Sequence, residues 1–196
     1  MKKDLETWKR IRSETVAECR VFNVRKDFCR RDSDEAEHSF FVVENPDWVN
    51  VIALTENGSV ILIEQYRHGS EEIILEIPGG MVDEGESHTV TAARELLEET
   101  GFAPREMIPL GRSRPNPAIQ NNWIYHYLAL ECEKRGEVNF DEHESINVRL
   151  VPLTEIPKLI VEGAITHSLV LTAFSLFNLS AHIPPSARKD FQEELD

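Results

Sequence analysis

The chain has 196 residues, 41% apolar and 29% charged, enough for one well-buried domain with a small appendage and too few for two full domains. Its 35 acidic and 21 basic residues leave a formal charge of −14, which opposes any extended contact with nucleic-acid phosphates, and no apolar run reaches the ~18 residues of a membrane span. Met1-Lys2-Lys3 leads directly into Asp4, Glu6 and Trp8 with no signal-peptide core, so the cytoplasm is the expected location, and an anionic substrate would need a metal ion or a few placed arginines.

In chain order, residues 19–31 and 37–44 are rich in β-branched and aromatic residues around the polar stretch Asp32 to Glu35, and are expected to form a hairpin. A second hairpin is expected from Val49–Leu54 and Ser59–Ile63, because Asn57-Gly58 between apolar runs tolerates the positive φ of a tight turn. A short strand, Ile73–Ile77, is expected to stop at Pro78-Gly79-Gly80, where a regular ladder cannot continue. A helix from about Ser87 to Thr100 ends at Gly101 as its cap. Strands near 106–113, 122–130 and 146–152 precede helices at 155–162, capped by Thr154 and stopped near Gly163, and at 167–178. Strands in runs with helices interspersed singly predict an α/β fold, a mixed sheet sandwiched by helices. The expected organisation is a small N-terminal β segment (1–45), the main domain (46–180) and a C-terminal tail (181–196). Cys19, Cys29 and Cys132 lack C-x-x-C spacing and are expected to be packing residues. His88, His126 and His167 lack partners at ligand spacing and are expected to be structural, and Trp48 and Trp123 are expected in the core.

The helix is the informative element. At roughly 100° per residue, Ala92, Ala93, Leu96, Leu97 and Thr100 share one arc, expected to be buried, while Glu95, Glu98 and Glu99 share another. Like charges at these spacings repel, and Glu98 and Glu99 stand in the last turn, where exposed carbonyls already make the helix end negative. Only Arg94, four residues before Glu98, offsets them locally. A solvated acidic face is one reading of this arc. The other is a site for a hard divalent cation, since carboxylate and carbonyl oxygens bind such ions and Gly79-Gly80 lets a bare carbonyl approach. Asp83 and Glu84 are expected to be acids preceding a helix N-terminus.

Gly80, Glu86, Arg94-Glu95-Leu96, Glu98-Glu99 and Gly101-Phe102 match the signature box of the Nudix hydrolases at all nine defined positions over 23 residues. Outside the box, Glu64-Gln65-Tyr66-Arg67, Leu75-Glu76-Ile77-Pro78-Gly79-Gly80 and Pro115-Asn116-Pro117 resemble the branch that hydrolyses ADP-ribose and related nucleotide sugars. The resemblance implies a Nudix-type α/β/α sandwich and metal-dependent hydrolysis of a nucleoside-diphosphate sugar to a nucleoside monophosphate and a sugar phosphate. It implies two or more ions of Mg2+ or Mn2+ held by Glu95, Glu98, Glu99 and the Gly79 carbonyl, with Arg94 orienting the glutamates, Glu86 bracing the loop, and Gly80 and Gly101 structural. The loop Asp141 to Ile146 resembles one that supplies a general base, pointing first to Glu144, also as a metal ligand, and then to Glu142; an exposed acidic turn is the competing reading. Arg67 reads either as a phosphate or ribose contact or as an ion-pair partner of Glu76, and Asn116 and Pro117 lie in a loop suited to specificity. The N-terminal strands resemble a segment that exchanges between subunits, so a homodimer is expected. The rival functions are hydrolysis of dinucleoside polyphosphates or nucleoside triphosphates, and binding of ADP-ribose without cleavage.

Overall fold

The computed structural model describes residues 5–138 and 145–180, and the chain divides into two compact units. One comprises residues 1–46 with 114–122, the other 47–113 with 123–196.

In the first unit β1 (Trp8–Glu18), β2 (Asn23–Arg31) and β3 (Glu37–Glu44) form an antiparallel sheet in that order. The expected hairpin is present as β2 and β3. β1 begins eleven residues earlier than the first expected strand; it is exposed along its whole length, so no apolar alternation marks it. Asp27, in the central strand, is buried and accepts hydrogen bonds from Ser13 at 2.5 Å and Arg25 at 3.0 Å. Asn116 makes a turn in the 114–122 segment, its carbonyl accepting the N–H groups of Ile119 and Gln120, and Val43 bridges to Gln120. Cys19 is exposed, against the expectation that it packs.

The second unit is built on an eight-stranded mixed sheet containing β4 (Trp48–Thr55), β5 (Ser59–Arg67), β6 (Glu72–Glu76), β7 (Gly79–Met81), β8 (Phe102–Ala103), β9 (Glu106–Ser113), β10 (Ile124–Lys134) and β11 (Ile146–Pro152). Its main path runs β11-β5-β4-β10-β8, with β9 also on β10, and among the described strands β4 and β10 alone pair in parallel. β4 and β5 pair as expected beside the turn, but only at Ala53–Ile61 and Leu54–Val60; within the turn Gly58 alone takes a positive φ, at 79°. Beyond that point the strands diverge, and β6 pairs with β5 while β7 pairs with β4. Gly79-Gly80 therefore does not end the ladder; it passes the chain from β5 to β4, with Val51 N–H donating to the Pro78 carbonyl at 2.8 Å.

Side-chain alternation on the buried strands creates two cores. Val49, Val51 and Ala53 with Ile61, Tyr127 and Ala129 pack on α1 (His88–Thr100), whereas Ile52 and Leu54 with Val60, Leu62 and Leu128 pack on Phe174 and Phe177 of α3 (Ser168–Leu179). This is the expected α/β/α sandwich. α2 (Ile156–Val161) follows a 3-10 turn, Leu153–Glu155, and its cap residue is Glu155; Thr154 makes no capping bond because it lies inside that turn. Trp48 and Trp123 are half-buried, and Arg112 stacks on Trp123 at 4.1 Å, so neither tryptophan is a core residue as expected. No helix among the described residues is long and apolar enough to cross a membrane.

Candidate active site

Both ends of α1 are written in its sequence. The Ser87 side chain accepts the Val90 N–H, and Gly101, at φ 76°, returns its N–H to the Leu97 carbonyl. The buried residues are Thr91, Ala92, Leu96, Glu99 and Thr100; Leu97, expected inside, is exposed. The buried face is thus rotated so that Glu99, only 5% exposed, lies within it. A buried carboxylate needs hydrogen-bond donors, and Glu99 Oε2 accepts the Gly79 N–H at 2.9 Å.

The two glycines serve opposite faces of β7. A Cβ on Gly79 would collide with the Val49 carbonyl on β4, and one on Gly80 would collide with the Glu95 carboxylate on α1. Any other residue at either position would push the loop away from the strand or from the helix.

Arg94 is the hub of the remaining acids. Its Nη1 donates to Glu95 Oε1 and Glu98 Oε2, each at 2.9 Å, its Nη2 to Glu86 Oε2 at 3.1 Å, and its Nε to Glu86 Oε1 at 3.3 Å. Nη2 also reaches the Met81 carbonyl at 3.4 Å and stands 3.6 Å from the exposed carboxylate of Asp83. The Glu86 bonds hold the Arg94 pKa above its ordinary value, and Arg94 followed by the Thr91 hydroxyl at 2.7 Å holds the Glu86 carboxyl below its own. One guanidinium thus faces four carboxylates, with Glu99 close by on the same helix. Among the described residues no three acidic, histidine or cysteine side chains are grouped as a ready metal site, since Arg94 draws Glu95 and Glu98 to itself while Glu99 turns to Gly79. The donor set nevertheless fits a hard divalent ion: every candidate is an oxygen, and the negative charge exceeds what Arg94 neutralises.

The NUDIX domain model matches residues 44–171, well over half of the chain. The chain belongs to the Nudix hydrolase family. A Bacillus methanolicus protein named methanol dehydrogenase activator is 31% identical over 172 residues, covering 87% of this chain and 92% of that one. An ADP-ribose pyrophosphatase of Bacillus subtilis (strain 168) is 34% identical over 122 residues, 61% and 65% of the two chains. Another, of Mycobacterium tuberculosis, is 29% identical over 170 residues, 86% and 80% of the two. In fold, the chain is similar to a solved structure of an ADP compounds hydrolase, with a TM-score of 0.80 and 24% identity over 90% of this chain and 95% of that one.

In this Nudix hydrolase, Arg67 and Glu76 form a bidentate ion pair, Nε to Oε1 at 2.7 Å and Nη2 to Oε2 at 2.9 Å, with Glu76 3% exposed and Arg67 43%. His167 Nδ1 stands 3.9 Å from the same carboxylate, a neighbour that no sequence spacing announces. His88 stacks on Tyr125 with ring centroids 3.6 Å apart and has Asp47 at 3.5 Å, so it is structural, as expected. Asn116 and Pro117 belong to the first unit; Glu142 and Glu144 lie outside the described residues. Thr91, which fixes Glu86, escaped the sequence reading because a lone threonine inside a helix carries no signal.

Proposed function

We infer that this Nudix hydrolase cleaves the diphosphate of ADP-ribose or a related nucleoside-diphosphate sugar, releasing a nucleoside monophosphate and a sugar phosphate. The observation that carries this reading is the excess of carboxylate oxygen around Arg94 on a helix bearing an intact box. The two relatives named ADP-ribose pyrophosphatase support the substrate class.

Glu95, Glu98, Glu99 and the Gly79 carbonyl would hold two or more divalent ions, Mg2+ or Mn2+, with Glu144 as a further ligand. When bound, such ions supply charge neutralisation of the diphosphate and Lewis-acid activation of water. Arg94 keeps Glu95 and Glu98 on one side of α1 and ties them through Glu86 to the loop, and the Gly79 N–H aims Glu99. Glu144, and after it Glu142, is our choice for the group that takes the proton from water. The pair with Glu76 orients the Arg67 guanidinium for a phosphate or ribose oxygen. Asn116 and Pro117 are assigned to substrate specificity. We assign residues 1–45 to dimer formation, because the β1–β3 sheet leaves Trp8, Ile11, Phe40 and Phe41 exposed and is too small to bury a core alone. The cytoplasm is the proposed location.

A nucleotide-sugar panel with Mg2+ and with Mn2+, followed by product identification, tests the reading. ADP-ribose should yield AMP and ribose 5-phosphate. Pyrophosphate released from nucleoside triphosphates as the main activity would overturn the substrate class. Binding without turnover across the whole panel would overturn catalysis.

A further inference from the structure

Asn50 and His126 are register partners in the parallel pair β4–β10, so their side chains stand next to each other on the face that packs against α3. The core packed on that face is built of Ile, Leu, Val, Ala and Phe, so two polar residues beside it need a reason. His126 is wholly buried, and its Nε2 meets the Ser113 hydroxyl at 2.9 Å. Asn50 Nδ2 and His126 Nδ1 are both buried with no hydrogen-bond partner among the described residues. Protein interiors seldom leave one such atom unmatched; two on adjacent residues call for a small polar guest between them. Asn50 Nδ2 can only donate, whereas the role of His126 Nδ1 follows the tautomer selected at Ser113. Water satisfies both in either case.

The other end of the Asn50 amide lies against Gly79, its register partner on β7. A Cβ on Gly79 would lie 2.8 Å from Asn50 Oδ1, so the amide rests against the bare Cα of Gly79, whose N–H holds Glu99.

We propose that Asn50 and His126 bind one internal water molecule and through it act as positioning residues for Glu99. The water fixes the Asn50 amide, the amide fixes Gly79, and Gly79 presents its N–H to the carboxylate. This deepens the metal-dependent reading and rests on it only at the Glu99 end.

Two measurements on the full chain test it. Long-range proton–nitrogen NMR on the wild type should show the His126 ring in a single tautomer, with a magnetisation-transfer contact to a long-lived water. Fast tautomer averaging, or no water contact, overturns the water site. Titration with Mn2+ followed by electron paramagnetic resonance should show Asn50→Ala and His126→Phe each weakening the ion about tenfold, as loss of a ligand-orienting group does. His126→Gln, which retains polar atoms, should recover most of that loss. Unchanged Mn2+ affinity in Asn50→Ala and His126→Phe, with only a lower unfolding temperature, overturns the positioning role. Asn50→Ala, the milder change, decides if His126→Phe does not fold. A wild type that takes up no Mn2+ refutes the metal reading and with it the positioning role, while the NMR contact still decides the water site.

Discussion

Glu99 Oε2 accepts the backbone N–H of Gly79 at 2.9 Å, joining the buried face of α1 to the first residue of β7. Glu98, one residue earlier, is half-buried and accepts a hydrogen bond from Arg94 Nη1 at 2.9 Å. Neighbouring box glutamates thus differ in how firmly the fold holds them, and their substitution should have different consequences.

Both Glu98→Gln and Glu99→Gln should lower kcat by roughly two to three orders of magnitude, through loss of charge that stabilises the transition state. Their metal-free stabilities should diverge. Glu98→Gln removes a negative charge from the last helical turn, where it costs about 0.3–1 kcal/mol, and leaves Arg94 its bonds to Glu86 and Glu95. Glu99→Gln keeps an acceptor for Gly79 but buries an amide NH2 that needs a new partner, at a cost of about 1–3 kcal/mol. Urea unfolding without metal should rank Glu98→Gln at or above wild type and Glu99→Gln below it. The reverse order would mean that Glu99 is not the fixed member.

Arg94→Lys should behave almost as badly as Arg94→Ala. The planar guanidinium reaches Glu86, Glu95 and Glu98 at once, whereas an ammonium is a point charge without that fork. Mn2+ affinity is expected to fall about 10- to 100-fold in both variants. The Glu86 carboxyl is held below its ordinary pKa by Arg94 and then Thr91, so its stabilisation is present above the unfolded value and is lost as pH falls through the folded one. In both Arg94 variants the acid limb of the stability curve should therefore become shallower. An unchanged acid limb would separate Glu86 from Arg94.

The sequence carried α1, its Gly101 cap, the β4–β5 turn, β9 and β11, because each has a local cause: a cap residue, an Asn-Gly dipeptide, a run of apolar alternation. What it hid has non-local causes. β1 is exposed throughout and bears no periodic signal, and β7 is built on glycines that normally break a strand and here are required by the Val49 carbonyl and the Glu95 carboxylate. The acidic face of α1 was legible as an arc of charge. That Glu99 belongs to the buried face, and that Arg94 gathers Glu86, Glu95 and Glu98, depends on which loop packs where.

The Arg67–Glu76 pair satisfies the ion-pair reading of these residues and also permits the substrate-contact reading, and one variant tells them apart. Arg67→Ala strips the bidentate partner from a carboxylate that is 3% exposed, and should destabilise the fold by about 1–3 kcal/mol, less than for a fully buried pair because the Arg67 side is 43% exposed. If Arg67 also touches substrate, KM should rise about tenfold or more under conditions where the variant is fully folded. A stability loss with KM unchanged would leave Arg67 a structural residue.

His126 should give the unfolding curve a feature at mildly acidic pH. Burial lowers its pKa from 6.5 to about 4, so between these values the unfolded chain holds a proton that the folded chain does not. By linkage, stability is fully present above about pH 6.5 and declines as pH falls towards 4, by roughly 1.4 kcal/mol per unit and about 3 kcal/mol in all. His126→Phe removes the titrating group, so the difference in unfolding free energy between wild type and variant should shift steadily against the wild type across that window. Urea midpoints measured at half-unit steps from pH 7 to 4.5 read this difference directly, with the other titrating groups cancelling to first order between the two proteins. Parallel curves would mean that the folded ring takes up its proton as readily as the unfolded chain does, so that burial beside Asn50 and Ser113 does not lower its pKa.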